Sequence, residues 1–272
     1  MIYIPDGLEE QAAVARTTHL AIAAHQDDIE FMAYAPIAEC FGSSGKWFGA
    51  VVVTDGAGSP RSGIYADYTD EEMKKVRIVE QKKAAFLGEY SFLALLGHPS
   101  KEVKAGERAI AEEIASLIKR AKPKYLYTHN LADKHETHVA TALRVIAALR
   151  LLKPEERPEK VFGCEVWRDL DWLPDDEKIY LDCGPHPNLM RALSAVFDSQ
   201  IAGGKRYDLA AEGRRLANAT FSASHACDTY SALNYAMDLT PLMDENVDIA
   251  DFITSAIDRF KEQVREGIRK FQ

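Results

Sequence analysis

Histidine and carboxylate side chains cluster at two places in the sequence, each directly after a short apolar run. The first cluster is AHQDDIE (residues 24–30), in which His25 precedes two adjacent carboxylates, Asp27 and Asp28. Adjacent carboxylates repel each other and lose hydration when buried, so a buried pair needs a positive partner. Asp is also favourable in the first turn of a solvated helix. This segment alone therefore fits either a reactive pocket or an ordinary helix start.

The second cluster is THNLADKHETH (residues 128–138), which follows the apolar run at residues 125–127. It contains three of the eight histidines of the chain, His129, His135 and His138. His135 and His138 are three residues apart and share a face if the segment is helical. Neutral imidazoles and one carboxylate form a three-ligand set that leaves room for water, as in catalytic zinc sites. Together the two clusters predict a metal site.

The elements that must position these clusters alternate along the chain. Short, continuous apolar runs are typical of strands buried on both faces of a parallel sheet. They occur at residues 20–24, 50–53, 92–96, 125–127, 161–167 and 178–181. Helical patterns run from the capping box at Thr69 to Gly88 and over residues 108–121, 135–152, 188–200, 207–219 and 249–269.

This alternation predicts βαβ units with right-handed crossovers. We expect a three-layer α/β/α sandwich around a Rossmann-like, mostly parallel sheet, and no linker or repeat divides residues 1–272, so we expect one domain. In such sheets ligands bind beyond the carboxyl ends of the strands. Both polar clusters follow predicted strands and therefore belong to that edge.

Composition narrows the class of protein. The chain has 272 residues, 47% of them hydrophobic, and a formal charge of −9, which excludes a disordered chain. A pI near 5.4 argues against nucleic-acid partners and against an anionic membrane surface. The four cysteines are far apart, and residues 1–11 lack a basic and an apolar region, so we expect a cytoplasmic protein without a signal peptide or membrane span.

The two clusters carry a family resemblance. The sequence resembles the PIG-L/LmbE-like family of metal-dependent N-deacetylases, whose hallmarks are A-H-P-D-D-x-E and H-x-D/N-H; here residues 24–30 and 135–138 match them. Between them the family has a T-x-G loop and a helix with R-x-x-E, which match residues 54–56 and 77–80. The resemblance covers residues 18–150 well and the C-terminal third loosely.

The resemblance implies an activity and a ligand set. His25, Asp28 and His138 would hold a divalent metal, Zn²⁺ in the first instance. Asp27 would be the general base on the attacking water, and a protonated His135 would face the developing oxyanion. The reaction would hydrolyse the N-acetyl group of an N-acetylated amino-sugar of the N-acetylglucosamine type, or of its glycoconjugate, and release acetate and a free amine.

Candidate substrate contacts follow the predicted strands or line the pocket of the family. They are Arg77, Asp55, Gly56, Arg61 and Asn130. Trp167 lies beside carboxylates and suits either stacking on a sugar ring or packing in the core.

The sequence departs from the hallmarks at two positions. Gln26 replaces the proline, which a turn tolerates. Thr137 replaces the Asp or Asn before the last ligand, so the orienting bond of that carboxylate must come from another residue, for which Asp133 is the candidate.

Two other functions remain open from the sequence. A two-His, one-carboxylate set also occurs in non-haem Fe(II) oxygenases, but that interpretation leaves Asp27 without a role. A catalytically silent sugar-binding homologue is the second, and the intact His25, Asp27, Asp28 and His138 argue against it. The resemblance also suggests a homo-oligomer, a trimer or a hexamer.

Overall fold

The predicted strands belong to one mixed sheet in the computed structural model, which describes residues 1–58 and 61–272. Ser59 and Pro60, in the loop after the second predicted strand, lie outside the described residues. The strands of the described ranges are β1 (Ile2–Tyr3), β2 (His19–Ala23), β3 (Phe48–Thr54), β4 (Phe92–His98), β5 (Tyr125–His129), β6 (Lys160–Cys164), β7 (Lys178–Asp182) and β8 (Leu233–Asp238). Their order across the sheet is β1-β4-β3-β2-β5-β6-β8-β7.

The centre of the sheet is parallel, and its edges are antiparallel. Strands β4, β3, β2, β5 and β6 run in the same direction, while β1 and β8 pair antiparallel with β4 and β6. Every residue of β2 and β3 is buried, as expected for apolar strands covered on both faces. The chain reverses its progress across the sheet between β2 and β5. A crevice therefore opens at their carboxyl ends, which is where such sheets bind ligands.

Helices cover both faces. They are α1 (Glu10–Ala15), α2 (Asp28–Met32), α3 (Tyr34–Cys40), α4 (Asp70–Leu87), α5 (Ser100–Ala105), α6 (Arg108–Ala121), α7 (Glu136–Leu151), α8 (Pro187–Ala195), α9 (Asp198–Ile201), α10 (Tyr207–Phe221) and α11 (Ile249–Arg269). Alternate residues of β2 enter two separate cores: Leu20 packs with α6 and α7, and Ala21 packs with α2, α3 and α8. The predicted three-layer α/β/α sandwich is confirmed.

The C-terminal third differs from its predicted, mostly helical form. Strand β8 inserts between β6 and β7 and pairs antiparallel with both. The helix predicted over residues 188–200 is broken into α8 and α9, because the buried Phe197 leaves helical geometry at φ −86° and ψ 59° and packs beside Phe31. No helix among the described residues combines the length and apolar character that a bilayer crossing requires.

Candidate metal centre and substrate cavity

The turn after β2 places three potential functional groups at the crevice. His25 follows the strand, Asp27 precedes α2, and Asp28 is the first residue of that helix. Asp27 has φ 94° and ψ −33°, a left-handed conformation that is costly for a residue with a side chain. The Asp27 N–H donates to Oε1 of Gln81 on α4 (3.2 Å), which helps to hold this conformation.

Three donor atoms converge at this crevice. Nδ1 of His25 is 3.1 Å from Oδ2 of Asp28 and 3.3 Å from Nε2 of His138. Nε2 of His138 is 3.2 Å from the same Asp28 oxygen. Ligands of a tetrahedral zinc ion with bonds near 2.0–2.1 Å lie about 3.3 Å apart. The triangle thus fits such an ion, and its atoms belong to the three residues predicted as ligands.

A contact with Asp133 orients His138, which lies on the buried face of α7. Its Nδ1 contacts Oδ2 of Asp133 (3.1 Å), which directs Nε2 toward Asp28. Asp133 is the residue expected to compensate for Thr137, and the structure places it on His138. The backbone N–H of His135 donates to the other oxygen of Asp133 (3.3 Å), so one carboxylate positions both histidines.

His129, at the end of β5, is a site residue that the sequence analysis did not assign. Its ring is fully buried and stacks on His138 with centroids 4.0 Å apart. Its Nε2 accepts the N–H of Ala24 (2.8 Å) and lies 3.6 Å from Asp28. Because that nitrogen already accepts a hydrogen bond, His129 suits a supporting role better than that of a ligand.

The electrostatics of the two carboxylates differ. Burial opposes ionisation of both, yet hydrogen bonds and charge from His138 and His25 hold the pKa of Asp28 well below its usual range. For Asp27 burial dominates and raises the pKa well above the usual range, while Arg77 opposes the rise. Ionisation is thus favoured for Asp28 and disfavoured for Asp27.

The two histidines of α7 also differ. The carboxylates of Asp28 and Asp133 overcome the effect of burial and raise the pKa of His138 to about 9. Burial, followed by the charges of His138 and His25, lowers the pKa of His135 to about 4. This lowered pKa favours a neutral His135, whereas the family resemblance implies a protonated one.

The R-x-x-E segment of α4 connects the crevice to the C-terminal third. Arg77 is 1% exposed; its Nη2 donates to the carbonyl of Gln26 (2.6 Å) and lies 3.6 Å from Asp27. Glu80 accepts hydrogen bonds from the backbone N–H and the hydroxyl of Ser199, both at 2.7 Å. The segment thus fixes the turn of the first cluster and the start of α9 together.

The last acid of the first cluster has a structural role. Oε1 of Glu30 accepts hydrogen bonds from Nε2 of Gln81 and from the hydroxyl of Tyr90, both at 2.8 Å. Burial raises the pKa of Glu30 to about 7 despite these bonds. The other end of the Gln81 amide accepts the N–H of Asp27. Glu30 therefore helps to hold Gln81 in the position that stabilises the strained backbone of Asp27.

A cavity of about 580 Å³ opens over the three donor atoms. Its wall includes the predicted residues His25, Asp27, Asp28, Gly56, Arg77 and His135, together with Thr137 and Trp167. His138 is fully buried beneath this wall. Gly56 has φ +76°, and a Cβ at this position would collide with Oε1 of Gln26, so this position requires glycine.

Three predicted substrate contacts do not line the cavity. Asp55 turns to Nζ of Lys74 (3.1 Å), and Arg61 pairs with Asp70. Asn130 is buried, where its side chain donates to the carbonyl of Cys164 (3.1 Å) and accepts the N–H of Ala132 (3.0 Å). Its amide is used to join β5 to β6, and this corrects its assignment as a substrate contact.

Much of the opposite wall comes from the C-terminal third, which the sequence analysis left without assigned roles. It includes Gln200, Lys205, Arg206, Tyr207 and Arg214. In the sequence, the basic pair directly before Tyr207, at a predicted helix start, was the available signal.

Comparison of the sequence with known proteins gives a match to a family model. Residues 20–149 match the family model PIG-L, described as GlcNAc-PI de-N-acetylase. No curated protein matches the chain.

Several solved structures share the fold. The conserved protein TT1542 from Thermus thermophilus has 18% identity and a TM-score of 0.65 over 82% of this chain and 94% of that chain. GalB, the 4-carboxy-2-hydroxymuconate hydratase from Pseudomonas putida, has 17% sequence identity and a TM-score of 0.61, and the match covers 85% of this chain and 100% of GalB. The N,N'-diacetylchitobiose deacetylase from Pyrococcus horikoshii has 13% sequence identity and a TM-score of 0.64, and the match covers 87% of this chain and 88% of the deacetylase. At these identities the likeness concerns the fold.

Proposed function

We propose that the protein is a metal-dependent N-deacetylase, because its residues 20–149 match the PIG-L family model. It hydrolyses the N-acetyl group of an N-acetylated amino-sugar of the N-acetylglucosamine type and yields acetate and a free amine. The observation that carries the proposal is the triangle of His25 Nδ1, Asp28 Oδ2 and His138 Nε2, with edges of 3.1, 3.2 and 3.3 Å, beside Asp27.

The donor set fits a divalent cation, with Zn²⁺ as the first candidate. Two imidazole nitrogens and one carboxylate oxygen are ligands that zinc accepts, and three protein ligands leave a position for water or substrate. His25, Asp28 and His138 would hold the ion. When bound, such an ion makes water nucleophilic near neutral pH and polarises a carbonyl group.

Asp27 is the proton carrier of the proposed reaction. Burial raises its pKa, which favours a group that takes a proton from the attacking water and returns it to the leaving amine. Arg77 and the Gln81 contact fix this side chain and its backbone at the cavity wall. Positioning of this kind lowers the entropic part of the barrier.

His135 acts as a neutral hydrogen-bond donor in this proposal. Its ring lines the cavity between His25 and Trp167, with centroid separations of 5.0 and 5.9 Å. A neutral imidazole retains one ring N–H, which is able to donate to the oxygen on which negative charge develops. Trp167 and Tyr207, with ring centroids 5.8 Å apart, supply an aromatic wall suited to a sugar ring.

The test couples metal analysis to acetate release. The purified protein, loaded with Zn²⁺ and freed of excess metal, is offered a panel of N-acetylated amino-sugars, and acetate is measured together with the metal content. We expect about one ion for each chain and acetate from at least one N-acetylglucosamine compound. Stoichiometric metal without acetate from any compound would overturn the deacetylase and leave the sugar-binding alternative.

Two variants separate metal binding from proton transfer. Asp27→Asn keeps the three donor atoms, so we expect bound metal and a rate lower by about two to four decades. His138→Ala removes a donor, so we expect metal and activity to be lost together. Loss of metal in Asp27→Asn would contradict the separate roles given to Asp27 and Asp28.

The same panel distinguishes other chemistries. A two-His, one-carboxylate centre also serves Fe(II) oxygenases, so acetate release under anaerobic conditions is the diagnostic result. The fold also occurs in a hydratase, and fold alone does not choose the reaction. The PIG-L match favours the deacetylase over a hydratase.

A further inference from the structure

Helix α2, which begins with the candidate ligand Asp28, is only five residues long and ends at Ala33. A helix of this length does not persist without tertiary contacts. Its last turn therefore needs partners from other parts of the fold, and the orientation of Asp28 depends on them. One of these partners, Arg215, belongs to α10 and lies outside residues 20–149 that match the family model.

Arg215 binds the end of α2 through its guanidinium group. Its Nη2 donates to the carbonyl of Glu30 (2.8 Å) and to the carbonyl of Phe31 (2.9 Å). Carbonyl groups in the last turn of a helix lack donors within that helix, and Arg215 supplies a donor for two of them. Phe31 lies three residues after Asp28, about 4.5 Å along the helix axis. Arg215 thus fixes α2 within one turn of the candidate ligand.

The guanidinium group of Arg215 is itself held in position. Its Nε donates to Oδ1 of Asn234 on β8 (2.9 Å), and its Cζ lies 5.1 Å from the centre of the Tyr34 ring at the start of α3. The Tyr34 hydroxyl donates to the carbonyl of His186 (2.7 Å). Contacts with a strand and with the next helix therefore restrict the direction in which Arg215 donates.

Packing alone does not explain an arginine at this position. Arg215 is 1% exposed, and the acceptors of its three hydrogen bonds are neutral oxygens. Burial of a guanidinium group costs free energy that an apolar side chain of similar volume would avoid. The property that an apolar side chain could not supply is the donation to the carbonyls of α2.

The turn that carries Asp27 and Asp28 is consequently held from two sides. On one side Gln81 of α4 accepts the N–H of Asp27 (3.2 Å) and donates to the side chain of Glu30 (2.8 Å). On the other side Arg215 of α10 binds the backbone carbonyl of Glu30 (2.8 Å). The position of α2 therefore depends on the C-terminal third as well as on the segment that contains the motifs.

We propose that Arg215 is a positioning residue of the metal centre, which holds Asp28 and Asp27 in the orientation that metal binding and proton transfer require. The inference rests on the proposed function, because it concerns the same centre. Arg215 acts through α2 rather than through contact with the metal or the substrate. Loss of an outer contact that orients a ligand lowers metal affinity by about tenfold to a hundredfold.

The test measures the affinity for Zn²⁺ by competition with a chelator of known affinity. Arg215→Met keeps much of the side-chain volume but removes the donors, so we expect the affinity to fall by about tenfold to a hundredfold. Arg215→Lys keeps a charged donor but not the fork of the guanidinium group, so its affinity should lie between those of Arg215→Met and the wild type. Wild-type affinity in Arg215→Met would overturn the proposal. If Arg215→Met does not fold, wild-type affinity in Arg215→Lys overturns it.

Two controls separate orientation of α2 from general effects. Ile118→Ala removes a buried side chain of α6 from the core on the opposite face of the sheet, so it destabilises the fold away from α2. Arg191→Met removes an exposed cation that pairs with Glu212 of α10 (2.6 Å). Both should keep the wild-type affinity for Zn²⁺. A fall in Ile118→Ala equal to that in Arg215→Met would show that Arg215 acts only through stability.

Steady-state kinetics at saturating Zn²⁺ distinguish an effect on α2 from an effect on the cavity wall. A displaced Asp27 lowers kcat, whereas a displaced wall residue such as Tyr207 raises KM. For Arg215→Met we expect the larger change in kcat. A rise in KM alone, with wild-type affinity for Zn²⁺, would assign Arg215 to the wall and overturn the proposal.

The zinc measurement also separates this inference from the deacetylase proposal. If the wild type binds Zn²⁺ but releases no acetate from any amino-sugar, the proposed function fails. The relative zinc affinities of the wild type, Arg215→Met and Ile118→Ala then still decide the role of Arg215. Absence of bound Zn²⁺ in the wild type would overturn both proposals.

Discussion

Asp133 and His138 form a carboxylate–imidazole pair beneath the cavity: Oδ2 of Asp133 is 3.1 Å from Nδ1 of His138. The opposite nitrogen of the same ring lies 3.2 Å from Asp28, at the candidate metal centre. Backbone N–H groups of Trp167 and Arg168 donate to Asp133 at 3.3 and 3.2 Å and hold it in place. Asp133 therefore selects the tautomer of His138 that offers Nε2 to a metal.

The first prediction concerns this pair. Asp133→Asn removes the charge that favours the tautomer with Nδ1 protonated, and the apparent affinity for Zn²⁺ should fall by about tenfold to a hundredfold. Competition with a zinc chelator of known affinity measures the change. Asp171→Asn removes an exposed carboxylate and should leave the affinity unchanged. Equal affinities of the wild type and Asp133→Asn would show that His138 is oriented without Asp133.

The sequence indicated which residues of the two motifs lie close together at the crevice, but it indicated little of the cavity walls. His25, Asp28 and His138 follow from two short motifs, because local turns after β2 and β5 decide where these residues lie. Asn130 follows the same strand as His138, yet its amide turns to the neighbouring β6. The direction of the Asn130 side chain depends on which strand pairs with β5, and the spacing of residues within the motif does not show this. The wall around Tyr207 depends on the packing of α10, which no sequence motif predicted.

The fold shows the same division between local and tertiary signals. Helix α4 begins where the capping box of Thr69 and Glu72 predicts, since both reciprocal hydrogen bonds are local. Strand β8 was missed because its buried Asn234 is polar and finds its hydrogen-bond partners in distant residues, among them Arg215 at 2.9 Å and Glu165 at 3.3 Å. Tertiary partners outweighed the local pattern there.

The second prediction compares two glycines in the loop after β3. Gly56→Ala forces a side chain into φ +76° and against Gln26, whereas Gly58 has open space at the position of a Cβ. We expect Gly56→Ala to lower the free energy of unfolding by at least about 1 kcal/mol, and Gly58→Ala to change it little. Urea denaturation of the two variants measures the difference. Equal stability would show that the loop adjusts without strain.

The third prediction concerns the attachment of α9 to α4. Glu80→Ala leaves the buried N–H and hydroxyl of Ser199 without their acceptor, so the free energy of unfolding should fall by at least about 2 kcal/mol. Because Gln200, the next residue, lines the cavity, KM for an amino-sugar substrate should also rise. Glu71→Ala, on the exposed side of the same helix, is the matched control. Indistinguishable unfolding curves for the two variants would contradict the anchoring role of Glu80.

The last prediction is a pH dependence of stability at His19, which begins β2 at the end opposite to His25. Burial lowers the pKa of His19 below 6.5, with Glu39 opposing the shift. The unfolded chain binds a proton below that pH more readily than the folded chain does. Stability from a neutral His19 is therefore complete above about pH 6.5 and falls as the pH decreases, by up to about 1.4 kcal/mol per pH unit. In His19→Gln the free energy of unfolding should decrease less between about pH 7 and about pH 5 than it does in the wild type. Urea unfolding at the two pH values measures this difference. The exposed His225, replaced in the same way, should leave the slope unchanged, and an unchanged slope in His19→Gln as well would contradict the assignment.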